Sequence, residues 1–193
     1  MFENFCRFFN TNPIDEGKDI ADEYKNKVNQ AATGYNQLMA NCEGMTFGNG
    51  LYRLHKLSEI KKWNEIVEEA FPDFAGRIEC FGYDWLGRQF SLDVSDGTPN
   101  ILMYEPGSGE ALQAPSSFYE FHEKEIAQYH ADVLASSFFS EWYNGSKTNL
   151  KHDQCVGYKV PLYLNGEDDL ENLEISDMEV YWYLFGQLRN QIL

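Results

Sequence analysis

The apolar residues of this chain alternate in the middle of the sequence and recur every three or four residues on either side of it. Residues 90–94 follow a strict two-residue period and residues 78–83 a looser one, which predicts two half-buried strands. The turn 84–87 between them predicts a hairpin. A third strand is predicted over 101–104, and the turn 105–110, which contains Pro and Gly, predicts a short return strand after it. Successive hairpins of this kind give a mostly antiparallel sheet.

Helices are predicted on both sides of these strands. Four phenylalanines recur at helical spacing within residues 2–9, and an apolar stripe between residues 60 and 71 predicts a second helix. Capping boxes of the form S-x-x-E begin two later predicted helices, at Ser117 and at Ser176. The last helix carries an apolar stripe of five residues: Tyr181, Leu184, Phe185, Leu188 and Ile192.

Strands in the middle and helices at the flanks differ from the regular alternation of a doubly wound protein. We therefore expect an α+β fold, with a central, mostly antiparallel sheet, flanking helices and a helical C-terminal lobe. Along the sequence, the predicted strands end and the next predicted helices begin near Pro115. We accordingly expect two lobes, residues 1–115 and 116–193, packed as one compact unit.

The charge of the chain restricts its partners. It carries 31 acidic against 15 basic residues, for a formal net charge of −16. Such a surface repels nucleic acid and anionic membranes and attracts a basic partner. Aromatic residues make up 16% of the chain, and they are enriched in cores and in interface centres. We expect binding to a basic protein, and neither direct nucleic-acid binding nor membrane binding.

The cysteines and the first residues indicate a compartment. Cys6, Cys42, Cys80 and Cys155 stand far apart and form no CxxC pair, which argues against a zinc site. The first residues include no basic start with a long apolar run, so no signal peptide is expected, and no apolar stretch is long enough to span a bilayer. We therefore expect reduced cysteines and a cytoplasmic protein.

No sequence pattern predicts catalysis. The four histidines lack the spacing of metal ligands, and the glycine-rich turns lack a cofactor-binding motif. His152 and Cys155 are close in sequence, but catalytic pairs are assembled across a fold, and we interpret Cys155 as a buried structural thiol. Five acids around the predicted hairpins could pair for acid–base chemistry, although acids near turns are usually solvated: Glu79, Asp84, Asp93, Glu105 and Glu110. We expect no catalytic residue, no metal and no cofactor.

An acidic run near the C-terminus is the strongest candidate for a binding surface. Residues 167–179 contain seven acids and no base. A solvated loop before a helix N-terminus explains such a run without any function, whereas a docking surface would use the run to speed encounter with a basic protein. We predict partner contacts at five of these acids: Glu167, Asp168, Asp169, Glu171 and Asp177. The hairpin turn Asp84-Trp85 is the second predicted contact.

Short segments of the sequence resemble a bacterial protein family. The first set resembles the GAD-like N-terminal part of the immunity proteins that pair with type VI secretion DNase toxins: GLYRLH (50–55), CFGYDWLGRQF (80–90), EPGSGE (105–110) and SFYEFH (117–122). The second set resembles the C-terminal domain of that family: CVGYKVPL (155–162), GEDD (166–169), NLE (172–174) and SDMEVYW (176–182). The general layout is also similar to the wider SUKH group. The resemblance implies a non-enzyme that binds and neutralises a nuclease toxin in the cytoplasm.

Charge and resemblance together support the hypothesis of an immunity-type protein that neutralises a bacterial toxin through its acidic surface. A nuclease carries a basic groove for its substrate, which an acidic protein can occupy or distort. Two alternatives stay open: a regulatory or adaptor protein without a toxin partner, and a small-molecule or hydrolytic enzyme. A gene for a nuclease-like toxin next to the gene for this chain would favour the first hypothesis.

Overall fold

The computed structural model describes residues 1–93, 95 and 99–192. Its central feature is a six-stranded antiparallel sheet in which each strand pairs with the next along the sequence. The strands are β1 (Thr46–Phe47), β2 (Tyr52–Leu54), β3 (Ile78–Asp84), β4 (Gln89–Asp93), β5 (Asn100–Glu105) and β6 (Glu110–Ala114). Every residue of β3 and β4 is buried, whereas β6 is partly exposed at one edge of the sheet. Val94, the last residue of the strand predicted over 90–94, lies outside the described residues.

Helices cover this sheet, and a two-stranded sheet follows it. The helices are α1 (Glu3–Phe9), α2 (Lys27–Ala31), α3 (Tyr35–Cys42), α4 (Ile60–Ala70), α5 (Phe118–Glu120), α6 (His130–Val133), α7 (Ser136–Ser146) and α8 (Met178–Ile192). A π-helical turn over Phe121–Ile126 directly continues α5. The second sheet pairs β7 (Gln154–Tyr158) with β8 (Leu173–Asp177) in antiparallel register. The predicted α+β fold with a central antiparallel sheet and a helical C-terminal lobe is confirmed.

The two faces of the large sheet pack against different helices. On one face, the ring of Phe121 in the π-helical turn lies 5.3 Å from that of Phe90 in β4. On the other face, Phe71 at the end of α4 lies 5.2 Å from Tyr104 in β5 and 6.1 Å from Trp182 in α8. Aromatic pairs at these separations combine a large buried area with favourable ring geometry. The sheet is therefore the middle layer of three.

The turn between β3 and β4 joins the C-terminal elements to the large sheet. Val156 of β7 donates its main-chain N–H to the carbonyl oxygen of Trp85 at 2.7 Å. The indole Nε1 of Trp85 in turn donates to the carbonyl oxygen of Leu134 at 3.0 Å. Buried main-chain groups need such partners because they cannot reach water. The predicted hairpin is confirmed, but its turn lies in the interior. The predicted division into lobes 1–115 and 116–193 stays a prediction.

The observed helix cap matches the cap predicted from the sequence at one helix and differs from it at another. Ser117 Oγ accepts from the main-chain N–H of Glu120, and the Glu120 carboxylate accepts from the N–H of Ser117, so the first predicted capping box is confirmed. Ser176, by contrast, lies in β8. The cap of α8 is the next residue, because Asp177 Oδ1 accepts from the main-chain N–H of Val180 at 3.0 Å.

The predicted apolar stripe of α8 is partly wrong. Leu184 and Ile192 were expected to be buried, but each is 51% exposed. The helix instead turns a different face inward: Met178, Tyr181, Trp182, Phe185 and Gly186. The physical reason is a close approach to α4, in which a Cβ atom added to Gly186 would lie only 2.9 Å from the Cβ of Ala70. Among the described helices, none has the length and apolar character that crossing a bilayer requires.

Candidate functional site

The predicted acidic surface lies on a loop, a strand and the beginning of a helix, all in one stretch of the chain. We call residues 164–184, which include the end of the loop after β7, β8 and the first turns of α8, the acidic segment. All five acids predicted to contact a partner are exposed: Glu167, Asp168, Asp169, Glu171 and Asp177. Glu174 in β8 is exposed as well. The segment therefore presents negative charge to solvent from three consecutive elements.

Local hydrogen bonds hold the loop part of the acidic segment in one conformation. The side chain of Asn172 bridges the loop, because its Nδ2 donates to the carbonyl oxygens of Val160 and Glu167, each at 2.9 Å. Its Oδ1 accepts from the N–H of Val160 at 3.0 Å. Gly166 lies so close to Val160 that a Cβ atom added to Gly166 would come within 2.0 Å of the main-chain oxygen of Val160. The chain path thus fixes the positions from which the acidic side chains extend.

Three of the acids have structural roles. Asp168 accepts a hydrogen bond of 2.7 Å from the hydroxyl of Tyr158. Burial and this bond raise the pKa of Tyr158 above its usual value. Asp169 Oδ1 accepts from the main-chain N–H of Asn172 at 3.0 Å, and Asp177 caps α8. Replacing these aspartates would therefore disturb the fold as well as the surface.

Three of the four glutamates of the segment differ from the aspartates, and the fourth, Glu179, pairs with Lys62 of α4. Within the described part of the chain, the carboxylates of Glu167, Glu171 and Glu174 accept no hydrogen bond and form no ion pair. Lys159 Nζ donates to the main-chain oxygen of Glu171 and not to its carboxylate. These glutamates can be changed without removing a contact that stabilises the fold, so they are the better positions for testing binding.

Large apolar side chains are exposed beside the acids. Six such residues lie in the acidic segment: Leu164, Leu170, Ile175, Val180, Tyr183 and Leu184. Tyr183 is 61% exposed, the largest fraction among them. Isolated exposed apolar residues are ordinary, whereas contiguous exposed apolar patches are typical of interaction surfaces. Sequence reasoning missed this feature, although the acids and apolar residues visibly interleave from Leu170 to Leu184.

The second predicted contact, the Asp84-Trp85 turn, needs correction. Both side chains are 0% exposed, so a partner cannot touch them in the folded chain. Asp84 instead accepts a hydrogen bond of 2.6 Å from Arg88 Nε and two of 3.0 Å from main-chain N–H groups. Trp85 packs against Phe138 of α7, with ring centroids 5.5 Å apart. The turn was expected at the surface because hairpin turns usually are exposed, but the C-terminal elements cover this one.

The carboxylates near the strands are held by separate partners. Glu79 is buried and accepts hydrogen bonds from Asn26 Nδ2 at 3.0 Å and from the hydroxyl of Tyr35 at 3.3 Å. Burial raises its pKa, and these donors oppose the shift. Asp93 pairs with Arg77 at 2.8 Å. In the described structure these acids thus serve local contacts, and their geometry gives no support to acid–base chemistry.

The His152–Cys155 pair does not form either. The two ring nitrogens of His152 lie 3.0 Å from a carboxylate oxygen of Glu59 and 2.9 Å from the hydroxyl of Tyr83. Cys155 is fully buried, as predicted, and burial raises the pKa of its thiol to about 12. At neutral pH this thiol is protonated and a poor nucleophile. Among the described residues, no group of three or more His, Cys, Asp or Glu side chains could hold a metal ion.

The C-terminal part of the chain matches a known family. Residues 118–189 match the family model described as "T6SS immunity protein Tdi1, C-terminal". This match supports a type VI secretion immunity family, and it includes the whole acidic segment. The resemblance of the N-terminal part to GAD-like proteins stays a prediction, and so does that of the general layout to the SUKH group.

Two further comparisons concern part of the sequence and the fold. The chain is 34% identical over 95 residues to "Secreted RxLR effector protein 153" of Plasmopara viticola. The aligned region spans 44% of this chain but only 34% of that relative. The fold is similar to that in the crystal structure of Atu4351 from Agrobacterium tumefaciens, with a TM-score of 0.66 and 13% sequence identity, over 97% of this chain and 89% of that one. At this identity the likeness concerns the fold alone.

Proposed function

We propose that this chain is a type VI secretion immunity protein that binds a cognate nuclease toxin in the cytoplasm and neutralises it without catalysis. The acidic segment, residues 164–184, is the proposed contact surface. The family match supports this assignment, because the matched residues 118–189 contain the entire segment. The net charge of −16 supports a basic partner.

The observation that carries the proposal is the mixture of exposed acids and exposed large apolar side chains on one preorganised stretch. Charged groups at an interface speed encounter and set orientation, while buried apolar and aromatic side chains supply most of the affinity. A Leu or Val side chain that becomes fully buried contributes about 1.5–3 kcal/mol. Val180, Tyr183 and Leu184 lie at helical i, i+3 and i+4 positions and so share one exposed face of α8.

A nuclease is the toxin class whose own chemistry complements this surface. Proteins that bind nucleic acid place Lys and Arg side chains along the phosphate backbone. A row of carboxylates at fixed positions can contact those same cations, so that the toxin loses its substrate contacts while the complex lasts. Inhibition then requires no reaction by this chain.

Binding to a nuclease-like protein encoded beside the gene for this chain tests the proposal. We expect a stoichiometric complex that suppresses DNA cleavage by the purified nuclease. The variant Glu167→Lys, Glu171→Lys and Glu174→Lys should slow association by about tenfold or more at low salt. It should also weaken the salt dependence of the association rate, because screening acts on these charges over about 8–10 Å at 0.1–0.15 M salt.

A charge-matched control separates the segment from net charge. Glu23, Asp73 and Glu141 are exposed and, within the described structure, have neither a hydrogen bond nor an ion pair through their carboxylates. Replacing all three by Lys changes the net charge by the same amount and should leave association near the wild-type rate. Equal slowing in both triple variants would exclude a special role of the acidic segment. A regulatory or adaptor protein would form no complex with the nuclease at all.

A further inference from the structure

The helical layer on one face of the large sheet stops before the edge strand β6. A cavity of about 260 Å³ opens there. Its floor comes from the sheet and its rim from the π-helical turn and α6, and the residues that matter below are Phe90, Ile101, Met103, Leu112, Glu125 and Asp132. This volume is below the ~300–1,000 Å³ typical of sites for small molecules, and it suits a single large side chain better.

The register of the strands explains why the cavity has an apolar floor. Phe90, Met103 and Leu112 pair directly across β4, β5 and β6, so they form one row on the same face. The row begins beneath the ring of Phe121 and ends at Leu112, which is 47% exposed. The core face of the sheet thus continues past the helices and reaches solvent at its edge.

Among the described residues, the charges at the rim are all of one sign. Glu125 and Asp132 line the cavity, and no described Lys, Arg or His does. Glu125 accepts one hydrogen bond, of 3.4 Å, from Ser116 Oγ. The carboxylate of Asp132 has neither a hydrogen bond nor an ion pair among the described residues. An aliphatic chain that ends in a cation complements an apolar floor with an acidic rim, and Lys and Arg have that form.

The edge of β6 offers a second kind of contact beside the cavity. β6 is the last strand of the sheet, and its five residues pair with β5 on one side. Apart from the hydrogen bond of 2.8 Å that the N–H of Ser116 donates to the oxygen of Ala114, no described main-chain group outside β5 bonds to β6. Extended peptides add to such edges through main-chain hydrogen bonds, and adjacent pockets then select alternate side chains. Natural edges are commonly blocked by charged side chains, Pro or a bulge. In β6, Glu110 stands at one end and Pro115 follows the other, but residues 111–114 between them contain no charge, proline or bulge.

We propose that the β6 edge and this cavity form a second protein-binding site, separate from the acidic segment. The site takes an extended segment of a partner protein. The main chain of the segment pairs with Glu110–Ala114, and one Lys or Arg side chain enters the cavity. Its aliphatic part lies over Met103 and Leu112, and its charged end lies between the carboxylates of Glu125 and Asp132.

A peptide titration of the full chain tests this site without any toxin. The probe is the capped peptide acetyl-Gly-Thr-Val-Thr-Lys-Thr-Val-Thr-Gly-amide, added to isotope-labelled protein and followed by NMR. We expect shifts of the amide signals of residues 110–114 and 125–133. Replacing the Lys of the probe by norleucine, which keeps the aliphatic chain but not the charge, should weaken binding at least fivefold.

Two sets of variants separate the main-chain contact from the side-chain contact. In the variant Glu125→Gln and Asp132→Asn, the Lys and norleucine probes should bind within about twofold of each other, with the shifts at 110–114 preserved. Probes N-methylated on one set of alternate residues should lose binding, and those methylated on the other set should keep it, because only one edge of a strand pairs with β6. The variant Glu167→Lys, Glu171→Lys and Glu174→Lys should bind the probe as the wild type does.

Several results would overturn the proposal. The first is an absence of shifts at 110–114 in the wild-type titration. The second is equal affinity of the Lys and norleucine probes for the wild type. The third is a dimer in sedimentation velocity without probe, with the amides of 110–114 protected in hydrogen exchange, since the edge would then be occupied by a second copy of this chain.

Discussion

The indole Nε1 of Trp182 donates a hydrogen bond of 2.7 Å to the main-chain oxygen of Gly87. The bond connects α8 to the β3–β4 turn, to which β7 is also attached through the carbonyl oxygen of Trp85. Trp182 is buried, so water cannot replace the indole as donor to the oxygen of Gly87. The stability of the C-terminal elements therefore depends on contacts with a turn that lies far away in the sequence.

Replacing Trp182 by Phe removes this donor and leaves a smaller side chain in the interior. We expect a loss of about 1–3 kcal/mol in the free energy of unfolding, because a buried carbonyl oxygen loses its partner. Urea unfolding at pH 7 measures the change. Tyr183→Phe, at an exposed position of the same helix, is the control and should lie within about 0.5 kcal/mol of the wild type. Equal stability of both variants would show that the Trp182–Gly87 bond adds nothing.

Two helical glycines should respond in opposite directions to Ala. A Cβ on Gly186 would lie 2.9 Å from the Cβ of Ala70, so Gly186→Ala must push α8 away from α4. We expect it to destabilise the fold by about 1–3 kcal/mol. Gly145 in α7 has open space around its Cβ position, and Gly145→Ala should stabilise by about 0.5–1 kcal/mol. Thermal unfolding of the pair checks both signs, and a stabilising Gly186→Ala would contradict the packing described for α4 and α8.

The cap of α8 can be identified by mutation. Asp177→Ala removes the acceptor for the N–H of Val180 and should reduce stability by about 0.5–2 kcal/mol. Ser176→Ala should change stability by less than about 0.5 kcal/mol, because Ser176 lies in β8 and is not the cap. Chemical denaturation compares the two variants. A larger effect at Ser176 than at Asp177 would restore the capping box predicted from the sequence.

Two buried histidines should make stability depend on pH. Burial lowers the pKa of His55 and of His122 to about 3, against about 6.5 in the unfolded chain. Below pH 6.5 the unfolded chain therefore binds protons that the folded chain does not, and stability falls as the pH decreases from 6.5 toward 3. Each histidine contributes a slope of up to about 1.4 kcal/mol per pH unit. Unfolding measured from pH 7 to 5.5 should show the decline, and His122→Gln should reduce its slope. An unchanged slope in that variant would mean that His122 is protonated in the fold.

The exposed apolar face of α8 should affect the proposed toxin complex differently from the acids. Val180→Ser with Tyr183→Ser removes contact area and leaves the charge unchanged. We expect the dissociation rate to rise by about tenfold or more while the salt dependence of association stays at the wild-type value. Surface plasmon resonance with the immobilised nuclease gives both quantities. Unchanged dissociation would exclude this helix face from the interface.

Local sequence patterns predicted which helices and strands form better than they predicted what packs against each of them. The alternation at residues 90–94 and the turn 84–87 predicted the central hairpin, because period and turn residues act over a few positions. The burial of Asp84 and Trp85 depends on α7, β7 and α8, which lie many residues later, and no residue of the turn itself indicates them. The exposure of Glu167, Asp168 and Asp169 was predictable, because carboxylates are almost never fully buried unless they are paired with a cation.

The inward face of α8 shows that an apolar stripe in the sequence is insufficient to predict which face of a helix is buried. Tyr181, Leu184 and Phe185 all fit a helical period, and periodicity alone cannot rank two overlapping stripes. Gly186 decides the orientation, because only this position lets the helix lie against Ala70. The cavity beside β6 likewise could not be predicted from the sequence, because it arises where the layer of helices is shorter than the sheet is wide.

The bridge that Asn172 makes across its loop has an evolutionary consequence. The frame of the loop depends on this amide, on Gly166 and on the capping role of Asp169, and not on the side chains of Glu167 or Glu171. Those outward positions can mutate while the frame persists. On the proposed contact surface, single substitutions at these outward positions would alter which partner is recognised, without any change of fold.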